Sequence, residues 1–345
     1  MIMKGFQIAG ETVALGERKK IDISVAKLYD FTEMNIPVEV IRGKLDGPVL
    51  FVSAAIHGDE INGTEIIKRL LTHSSLKKLK GTLIAVPIVN VFGFNTKSRY
   101  LPDRRDLNRS FPGLKGGSLA AQLAYTFINE IIAKSTHGID LHTGAIHRYN
   151  LPQIRASMSD EETNRLAHAF NVPVIVNSEL LDGSLRAAAR ERNIPILLFE
   201  GGEALRFNEP VIKTGLKGVI SVMREINMLP KLKKLPKRSG TDSFIARSSH
   251  WVRSPHSGTL VPRKKIGDHV KKNEILGVVS DPFGECRFEV YATYTGIIIG
   301  ATLLPLVNEG DAVFHIATFE DSATVKESID TYEDDSHARI DTFST

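Results

Sequence analysis

The sequence predicts an α/β fold, a mixed, mostly parallel sheet flanked by helices, followed by a small all-β domain. Between about residues 40 and 228, short apolar runs alternate with amphipathic segments. The apolar runs are continuous, which is typical of strands buried on both faces of a largely parallel sheet. After residue 243 the helical spacing gives way to short β-rich runs separated by Gly and Pro. A chain of 345 residues accommodates both domains.

The first half of the chain gives the clearest strand and helix signals. Apolar runs predict strands at 38–42, 49–56, 82–89 and 139–142, and 3.6-residue spacing predicts helices at 62–72 and 118–134. Leu119, Leu123 and Phe127 form one stripe of the second helix. The segment 90–117 is polar and is predicted to be a loop.

The second half of the α/β region continues the alternation. Ser159 and Glu162 have the spacing of a capping box and predict a helix that begins there and runs to Phe170. Strands are predicted at 172–176 and 194–199, and further helices at 184–192 and 209–228.

Composition changes divide the chain into four predicted parts. Residues 1–229 form the first domain, 230–242 a basic, proline-bracketed linker, 243–319 the β domain, and 320–345 an acidic tail. Within the β domain, 254–261 is echoed by 292–299, which predicts a pseudo-twofold arrangement. The tail has few apolar residues and is expected to be mobile.

Composition also bounds the cellular setting and the partners. No apolar run reaches the ~18–20 residues of a membrane span, and the N-terminal residues lack a signal-peptide pattern. Cys286 is the single cysteine, so no intrachain disulfide forms. These features suit a reducing cytoplasm, and no membrane association is expected.

The net charge of +4 is unevenly distributed, because residues 320–345 carry eight acids and two bases. The surplus of positive charge in the body has two interpretations, a solvated surface with a basic linker or attraction of small anionic substrates. No arginine-rich run with interleaved aromatic residues is present, so nucleic acid is not an expected partner.

Four polar side chains stand at the ends of predicted strands. His57 and Glu60 follow the strand that ends at position 56, His142 ends the strand at 139–142, and Glu200 follows the strand at 194–199. Each of these residues alone is weak evidence for a metal site. In a parallel sheet these ends share one rim, where two His and one Glu match a known catalytic zinc arrangement. Asp140 is placed to accept the N–H of a ligand imidazole.

Arginines are concentrated in the loop at 98–113. They are either solvated surface or a clamp for a substrate carboxylate, since guanidinium donates two parallel hydrogen bonds. The polar stretch at 147–155 follows the strand of His142 and is expected to line the same pocket, with Arg148 and Arg155 placed on an exposed loop.

Four ordered motifs carry a family resemblance. They read His-Gly-Asp-Glu at 57–60, Asp-Leu-Asn-Arg at 106–109, Asp-Leu-His-Thr at 140–143 and Phe-Glu-Gly-Gly at 199–202. Together they resemble the succinylglutamate desuccinylase/aspartoacylase family, part of the wider zinc carboxypeptidase-like group. The resemblance covers about residues 40–228, and the β domain looks like a biotinyl/lipoyl barrel-sandwich.

The resemblance implies roles for individual residues. One Zn²⁺ per subunit is held by His57, Glu60 and His142, and Glu200 is the general base that activates the zinc-bound water. Asn108 and Arg109 hold the free carboxylate of the substrate. Arg99 is the best match for the arginine that polarises the scissile carbonyl, with Arg104 as the alternative. A tyrosine from the β domain, Tyr291 or Tyr294, is a further substrate-binding candidate.

The implied function is zinc-dependent hydrolysis of the amide bond of an N-acyl amino acid or a similar small carboxylated amide. A zinc carboxypeptidase acting on peptides and a non-catalytic binding protein are the alternatives. A carrier role for the β domain is not expected, because the hairpin at 280–289 has no lysine for biotin or lipoate. The domain is instead expected to serve as a scaffold, a lid or a contact in a homo-oligomer.

Overall fold

The structure is a computed structural model that describes residues 5–232 and 243–338, with side chains up to residue 332. Most of the predicted linker at 230–242 therefore lies outside the described residues. None of the helices in the described ranges combines the length and the apolar character needed to cross a lipid bilayer.

The strands up to residue 203 are β1 Phe6–Ile8, β2 Glu11–Val13, β3 Arg18–Lys27, β4 Glu33–Arg42, β5 Val49–Ala54, β6 Thr82–Val86, β7 His137–Gly144, β8 Arg148–Ala156, β9 Val174–Asn177 and β10 Ile196–Glu203. Those beyond the linker are β11 Phe244–Ala246, β12 Ser248–Arg253, β13 Gly258–Pro262, β14 His269–Val270, β15 Ile275–Ser280, β16 Arg287–Tyr291, β17 Gly296–Thr302, β18 Leu306–Val307 and β19 Ala312–Thr318.

The α-helices are α1 Asn62–Thr72, α2 Val91–Thr96, α3 Leu119–Glu130, α4 Glu161–Phe170, α5 Leu185–Arg190, α6 Glu209–Glu225 and α7 Ser322–Ala338. Short 3₁₀ helices lie at Ser74–Lys78, Leu107–Arg109 and Ile132–Lys134.

One large sheet organises the molecule, with the strand order β12-β19-β17-β8-β10-β7-β5-β6-β4-β3. Its centre is parallel, since β10 pairs with β7, β7 with β5, and β5 with β6. On both sides the pairing turns antiparallel, at β8 and at β4. The α/β class and the mixed sheet are confirmed. Beyond the four central strands, β9 pairs in parallel with β8 and with β11, but the other pairs are antiparallel, so the prediction of a mostly parallel sheet is wrong for the sheet as a whole.

Helices cover both faces of the central strands. On β5, Leu50 and Val52 contact the core that includes α1, α4 and α6, whereas Phe51 contacts the core that includes α3 and α5. This burial on both faces explains why the strands appear as continuous apolar runs. Burying each large side chain contributes about 1.5–3 kcal/mol.

Several local predictions require correction. The predicted loop at 90–117 contains α2, because the Asn90 side chain accepts from the N–H of Gly93 and caps a short helix. The helix predicted to begin with a capping box at Ser159 is capped by Asp160, whose carboxylate accepts from Thr163 N at 2.8 Å. The stretch at 147–155 is strand β8 rather than an exposed loop.

The segment after residue 243 is joined to the sheet of the α/β region by strand pairing. Strand β17 pairs with β8, and through it β19 and β12 extend the large sheet. Strands β16, β15, β13 and β18 form a second, antiparallel sheet. The prediction of an entirely mobile tail is wrong over 322–338, since α7 forms there and buries Val325 and Ile329.

Candidate active site

Three central strands deliver polar side chains to one rim of the sheet. Glu200 on β10 is directly opposite His142 on β7 in the parallel register. On the other side of β7, Ser53 pairs with Asp140, so the loop after β5 begins at the same level. Neighbouring strands lie only about 4.8 Å apart, which brings sequence-distant groups together at this edge.

The loop after β5 is held in place by close backbone packing. A Cβ atom on Gly58 would lie 2.0 Å from the carbonyl carbon of Gly93 in α2, so only glycine fits. The N–H of Glu60 donates to the His57 carbonyl at 3.1 Å, which closes a turn. This turn directs both side chains of the motif to the same side.

His57, Glu60 and His142 meet in the interior at the rim. The Nδ1 atom of His57 lies 2.7 Å from Glu60 Oε1, and Nδ1 of His142 lies 2.8 Å from Glu60 Oε2. One ligand atom from each residue lies within 4.8 Å of the others, and all three side chains are buried. The structure therefore brings together the three residues predicted as metal ligands.

A further carboxylate holds the opposite nitrogen of each imidazole. His142 Nε2 lies 2.7 Å from Asp140 Oδ2, as predicted for that residue, and His57 Nε2 lies 3.1 Å from Asp106 Oδ1. Such carboxylates fix the orientation of an imidazole, and the two Nδ1 atoms would be the ones available to a metal. The contact of Asp106 was not foreseen, although its position in the Asp-Leu-Asn-Arg motif is its sequence signal.

The electrostatics of this cluster favour a cation. Burial opposes the charged form of His142, yet Asp140 and Glu60 together raise its pKa well above the usual range. Burial also opposes the ionised form of Glu60, but the two imidazoles hold the pKa of Glu60 far below normal. Three carboxylates around two imidazoles form a buried, electron-rich donor set.

The donor set fits zinc. Two imidazole nitrogens and one carboxylate are the protein ligands of a known class of catalytic zinc sites. Both imidazoles have the supporting carboxylates that zinc ligands usually have. A metal at the Nδ1 atoms would separate groups that now contact each other directly.

The two arginine candidates have different environments. Arg99 donates from Nη1 to Glu60 Oε1 at 3.0 Å and from Nη2 to Asp106 Oδ2 at 3.1 Å. It lines the pocket beside the metal ligands. Arg104 is exposed and has a positive φ of 62°, and it is not among the residues that line this pocket.

Asn108 and Arg109 both line the pocket from the loop opposite the sheet rim. The side-chain oxygen Oδ1 of Asn108 accepts from Leu185 N at 2.9 Å, so the Nδ2 group of Asn108 remains as the donor for a ligand. Asn108 is buried, and Arg109 is exposed with Nη1 donating to the Asn108 carbonyl at 2.6 Å.

Glu200 is oriented by two groups of β8. Asn150 Nδ2 donates to Glu200 Oε2 at 2.7 Å, and Arg155 Nε lies 3.2 Å from the same oxygen. Both contacts are made to Oε2 of Glu200, so Oε1 of Glu200 is the oxygen left for proton transfer. Neither partner was assigned this role from the sequence, because β8 was not recognised as a strand.

A cavity of about 420 Å³ is lined by His57, Glu60 and His142, by Arg99, Asn108 and Arg109, and by Glu200 with Asn150 and Arg155. The stretch at 147–155 was predicted to line this pocket and does so through Arg148, Asn150 and Arg155. The wall also includes residues that the sequence did not single out, namely Tyr100, Leu181, Ser184, Arg186 and Trp251. Tyr291 lines a separate cavity on the second sheet of the C-terminal segment and donates to Glu289. Tyr294 stacks on His250 at 4.2 Å. The structure does not bring either predicted tyrosine to the metal ligands.

The fold and the residues at this edge of the sheet define the class of the protein. It is an α/β protein with a candidate His-Glu-His metal centre at the carboxyl ends of central parallel strands. The profile of the succinylglutamate desuccinylase/aspartoacylase catalytic domain matches residues 46–226. The chain therefore belongs to the succinylglutamate desuccinylase/aspartoacylase family.

Individual relatives extend this comparison. The chain is 26% identical over 298 residues to an N-alpha-acetyl-L-2,4-diaminobutyric acid deacetylase of Halomonas elongata, covering 83% of this chain and 86% of that protein. The product-bound structure of the ectoine utilization protein EutE (DoeB) from Ruegeria pomeroyi matches with a TM-score of 0.78 at 25% identity, covering 87% of this chain and 95% of the other.

A third similarity concerns the fold alone. The structure of a succinylglutamate desuccinylase/aspartoacylase from Rhodobacter sphaeroides matches with a TM-score of 0.78 at 23% identity, covering 88% of this chain and 96% of the other. Because these alignments extend well past residue 226, the architecture of the C-terminal segment is shared as well.

Proposed function

We propose that the protein hydrolyses the amide bond of N-acyl amino acids, or of similar small carboxylated amides, with one zinc ion per subunit. The observation that carries this proposal is the buried set of His57, Glu60 and His142 beside Glu200 in one cavity. Membership of the family and the named deacetylase relative agree with it. A metal-free binding protein would not need these four groups together.

Zinc at this centre would supply Lewis-acid chemistry, making water acidic enough to act as a nucleophile near neutral pH. His57, Glu60 and His142 would hold the ion, with Asp106 and Asp140 fixing the two imidazoles. All remaining steps depend on residues of the chain that surround the cavity.

Glu200 is the proposed general base. Its Oε1 takes the proton of the attacking water, while Asn150 and Arg155 hold Oε2 and fix the plane of the carboxylate. The same proton is then delivered to the nitrogen of the leaving amine. Glu200 thereby acts first as a base and then as an acid.

Arginines orient the substrate and stabilise the developing charge. Asn108 and Arg109 are proposed to bind the free carboxylate of the amino acid, which fixes the scissile amide relative to Glu200. Arg99, rather than the exposed Arg104, is proposed to donate to the oxyanion, since it lies 3.0 Å from the metal ligand Glu60.

Replacement of the base separates this proposal from its alternatives. Glu200→Gln should abolish hydrolysis of N-acetyl and N-succinyl amino acids while metal analysis still finds one zinc per chain. Glu191→Gln, at an exposed carboxylate, is the matched control and should retain activity. Substantial turnover by Glu200→Gln would contradict the assignment of the base.

The same assays test the peptidase alternative. Mass spectrometry of products from N-acyl amino acids and from short peptides should show cleavage of the former. Preferential release of C-terminal residues from the peptides would instead identify a carboxypeptidase. Purified protein with only trace zinc would favour the non-catalytic alternative.

A further inference from the structure

One edge strand of the C-terminal segment has two opposite charges on the same face. Strand β16 pairs antiparallel with β15, and among the described residues no other strand pairs with it. Its outward backbone N–H and C=O groups are therefore open to a further strand, as at any sheet edge. Arg287 and Glu289 are both exposed on this strand. Side chains two positions apart in a strand point to the same face of the sheet.

The other edge strands of the described chain are less suited to accept a partner strand. Strands β1, β2, β11, β14 and β18 have two or three residues each. Strand β12 contains no carboxylate, and Lys19 of β3 already pairs with Glu11 of β2 at 2.7 Å. In contrast, Arg287 and Glu289 of β16 have no ion pair within the described ranges.

The order of the two charges selects one partner and one register. In an antiparallel pair, directly opposed residues point to the same face. If a second copy of β16 lies alongside with Phe288 opposite itself, Arg287 of each copy faces Glu289 of the other. Centring the pair on Arg287 or on Glu289 instead opposes like charges, which is destabilising. A strand that is its own complement suits a two-fold dimer, in which both copies use the same surface.

The same register gives an exposed aromatic side chain a partner. Phe283, in the turn between β15 and β16, is 86% exposed. It lies five positions before Phe288, so it is level with the fifth position after Phe288 in the second copy, which is Thr293. The neighbouring Tyr294 is 44% exposed. An aromatic contact at each end of the paired strands adds apolar area, which a stable interface needs beyond strand pairing.

We propose that the protein forms a two-fold dimer through β16, with Phe288 at the axis and Arg287 of each copy paired with Glu289 of the other. The four-stranded second sheets of the two copies then join into one continuous antiparallel sheet. Arg287 and Glu289 line a cavity on this sheet that is separate from the cavity of the candidate metal ligands. The dimer is therefore independent of the proposed function.

Charge reversal tests the pairing of Arg287 with Glu289. Light scattering after size-exclusion chromatography, over a series of micromolar concentrations, should give the mass of two chains for the wild type. Arg287→Glu alone and Glu289→Arg alone each oppose like charges twice in the dimer. Each should raise the dissociation constant about 10- to 100-fold.

Two combinations of these variants should restore the dimer. The double variant Arg287→Glu with Glu289→Arg exchanges the signs of both pairs and should return to near the wild-type dissociation constant. An equimolar mixture of the two single variants should form a mixed dimer, because each chain then supplies the charge that the other lacks. Far-UV circular dichroism should be unchanged throughout, since the replaced side chains are exposed.

Arg263→Glu is the matched control. Arg263 is exposed and lines the same cavity as Arg287, but it follows β13 in the interior of the sheet rather than lying on the edge strand. Its reversal makes the same change of charge without opposing a residue at the proposed axis. The dissociation constant should stay at the wild-type value.

Cross-linking tests the register. Cys286 is the one cysteine of the chain, so Cys286→Ser gives a background without thiols. In that background Phe288→Cys places two thiols opposite each other, where Cβ atoms are about 4.5–5.5 Å apart. Mild oxidation should give a covalent dimer on non-reducing electrophoresis. Glu289→Cys should cross-link far less, because that residue faces position 287 of the other copy.

Three results would overturn the proposal. The first is a wild-type protein that is monomeric over the whole concentration series. The second is a dimer whose dissociation constant neither single reversal changes, since such a dimer uses another surface. The third is preferential cross-linking of Glu289→Cys over Phe288→Cys, which requires another register.

Discussion

The cavity has two walls that are built in different ways. The metal wall consists of His57, Glu60, Arg99, Asp106 and His142, which are joined by hydrogen bonds and ion pairs between 2.7 and 3.1 Å. The β8 wall consists of the side chains of Arg148, Asn150, Arg155 and Trp251. Its geometry comes from strand pairing across β8, β17, β19 and β12. Glu200 stands between the two walls.

The two walls differ in how their charged side chains are balanced. The metal wall is a closed polar network, in which each charge has an opposite charge beside it. The β8 wall holds an arginine that faces an aromatic ring instead of a carboxylate. The first wall therefore carries the proposed metal chemistry, and the second holds the proposed base Glu200 through Asn150 and Arg155.

The largest expected effect comes from removing a ligand of the metal wall. His142→Ala should reduce zinc to substoichiometric levels and activity to background, since two protein ligands remain of three. Metal analysis and the hydrolysis assay measure both losses. His168→Ala, on helix α4 and outside the cavity, should retain metal and activity.

A smaller effect is expected from replacing Asp140, the carboxylate that contacts the imidazole of His142. Asp140→Asn keeps the size of the side chain but removes the charge that orients His142 at 2.7 Å. Zinc affinity should fall about 10- to 100-fold, as measured by competition with a chelator. An unchanged affinity would show that Asp140 does not support the ligand.

The β8 wall can be perturbed from the C-terminal segment without touching the metal wall. A Cβ atom on Gly300 would lie 2.7 Å from Asn150 Oδ1, the amide that holds Glu200. Gly300→Ala should lower kcat about tenfold with zinc still bound, because a hydrogen bond to a charged group contributes about 1.5–3 kcal/mol. Gly116→Ala is the control, since its Cβ meets nothing within 4 Å.

The smallest expected effect concerns stability and its pH dependence. His315 has a pKa of about 3 when folded, below the usual 6.5. Its contribution is complete above pH 6.5 and is lost as the pH falls towards 3, because the unfolded chain binds the proton first. At pH 5.5 the stability lost in this way is about 1 kcal/mol.

Denaturant unfolding at pH 7.5 and 5.5 measures this contribution. His315→Gln, which does not titrate, should lose less stability than the wild type over this interval. His256→Gln, at an exposed histidine, should follow the wild type. Equal losses in the wild type and His315→Gln would show that His315 is not buried in its neutral form.

The candidate metal ligands and Glu200 could be predicted from sequence because they stand at the ends of apolar runs. His57, His142 and Glu200 each follow or end such a run, and the rule that parallel strands end at one edge brings them together. For the β8 wall, the sequence predicted that 147–155 lines the pocket, but not that this stretch is a strand or that it holds Glu200. Asn150 and Arg155 lie on an antiparallel strand that contains Pro152. Because proline is rare inside strands, this stretch resembles a loop in sequence.

The sequence by itself determined the α/β class, the family and the residues suited to bind a metal, since these depend on local hydrophobic patterns and ordered motifs. The sequence favoured Arg99 over Arg104, and the tertiary structure places Arg99 in the cavity and Arg104 outside it. Only the tertiary structure decided that Trp251 instead of Tyr291 reaches the cavity. Those outcomes depend on pairing between strands far apart in the chain, such as β8 with β17, which no local pattern records.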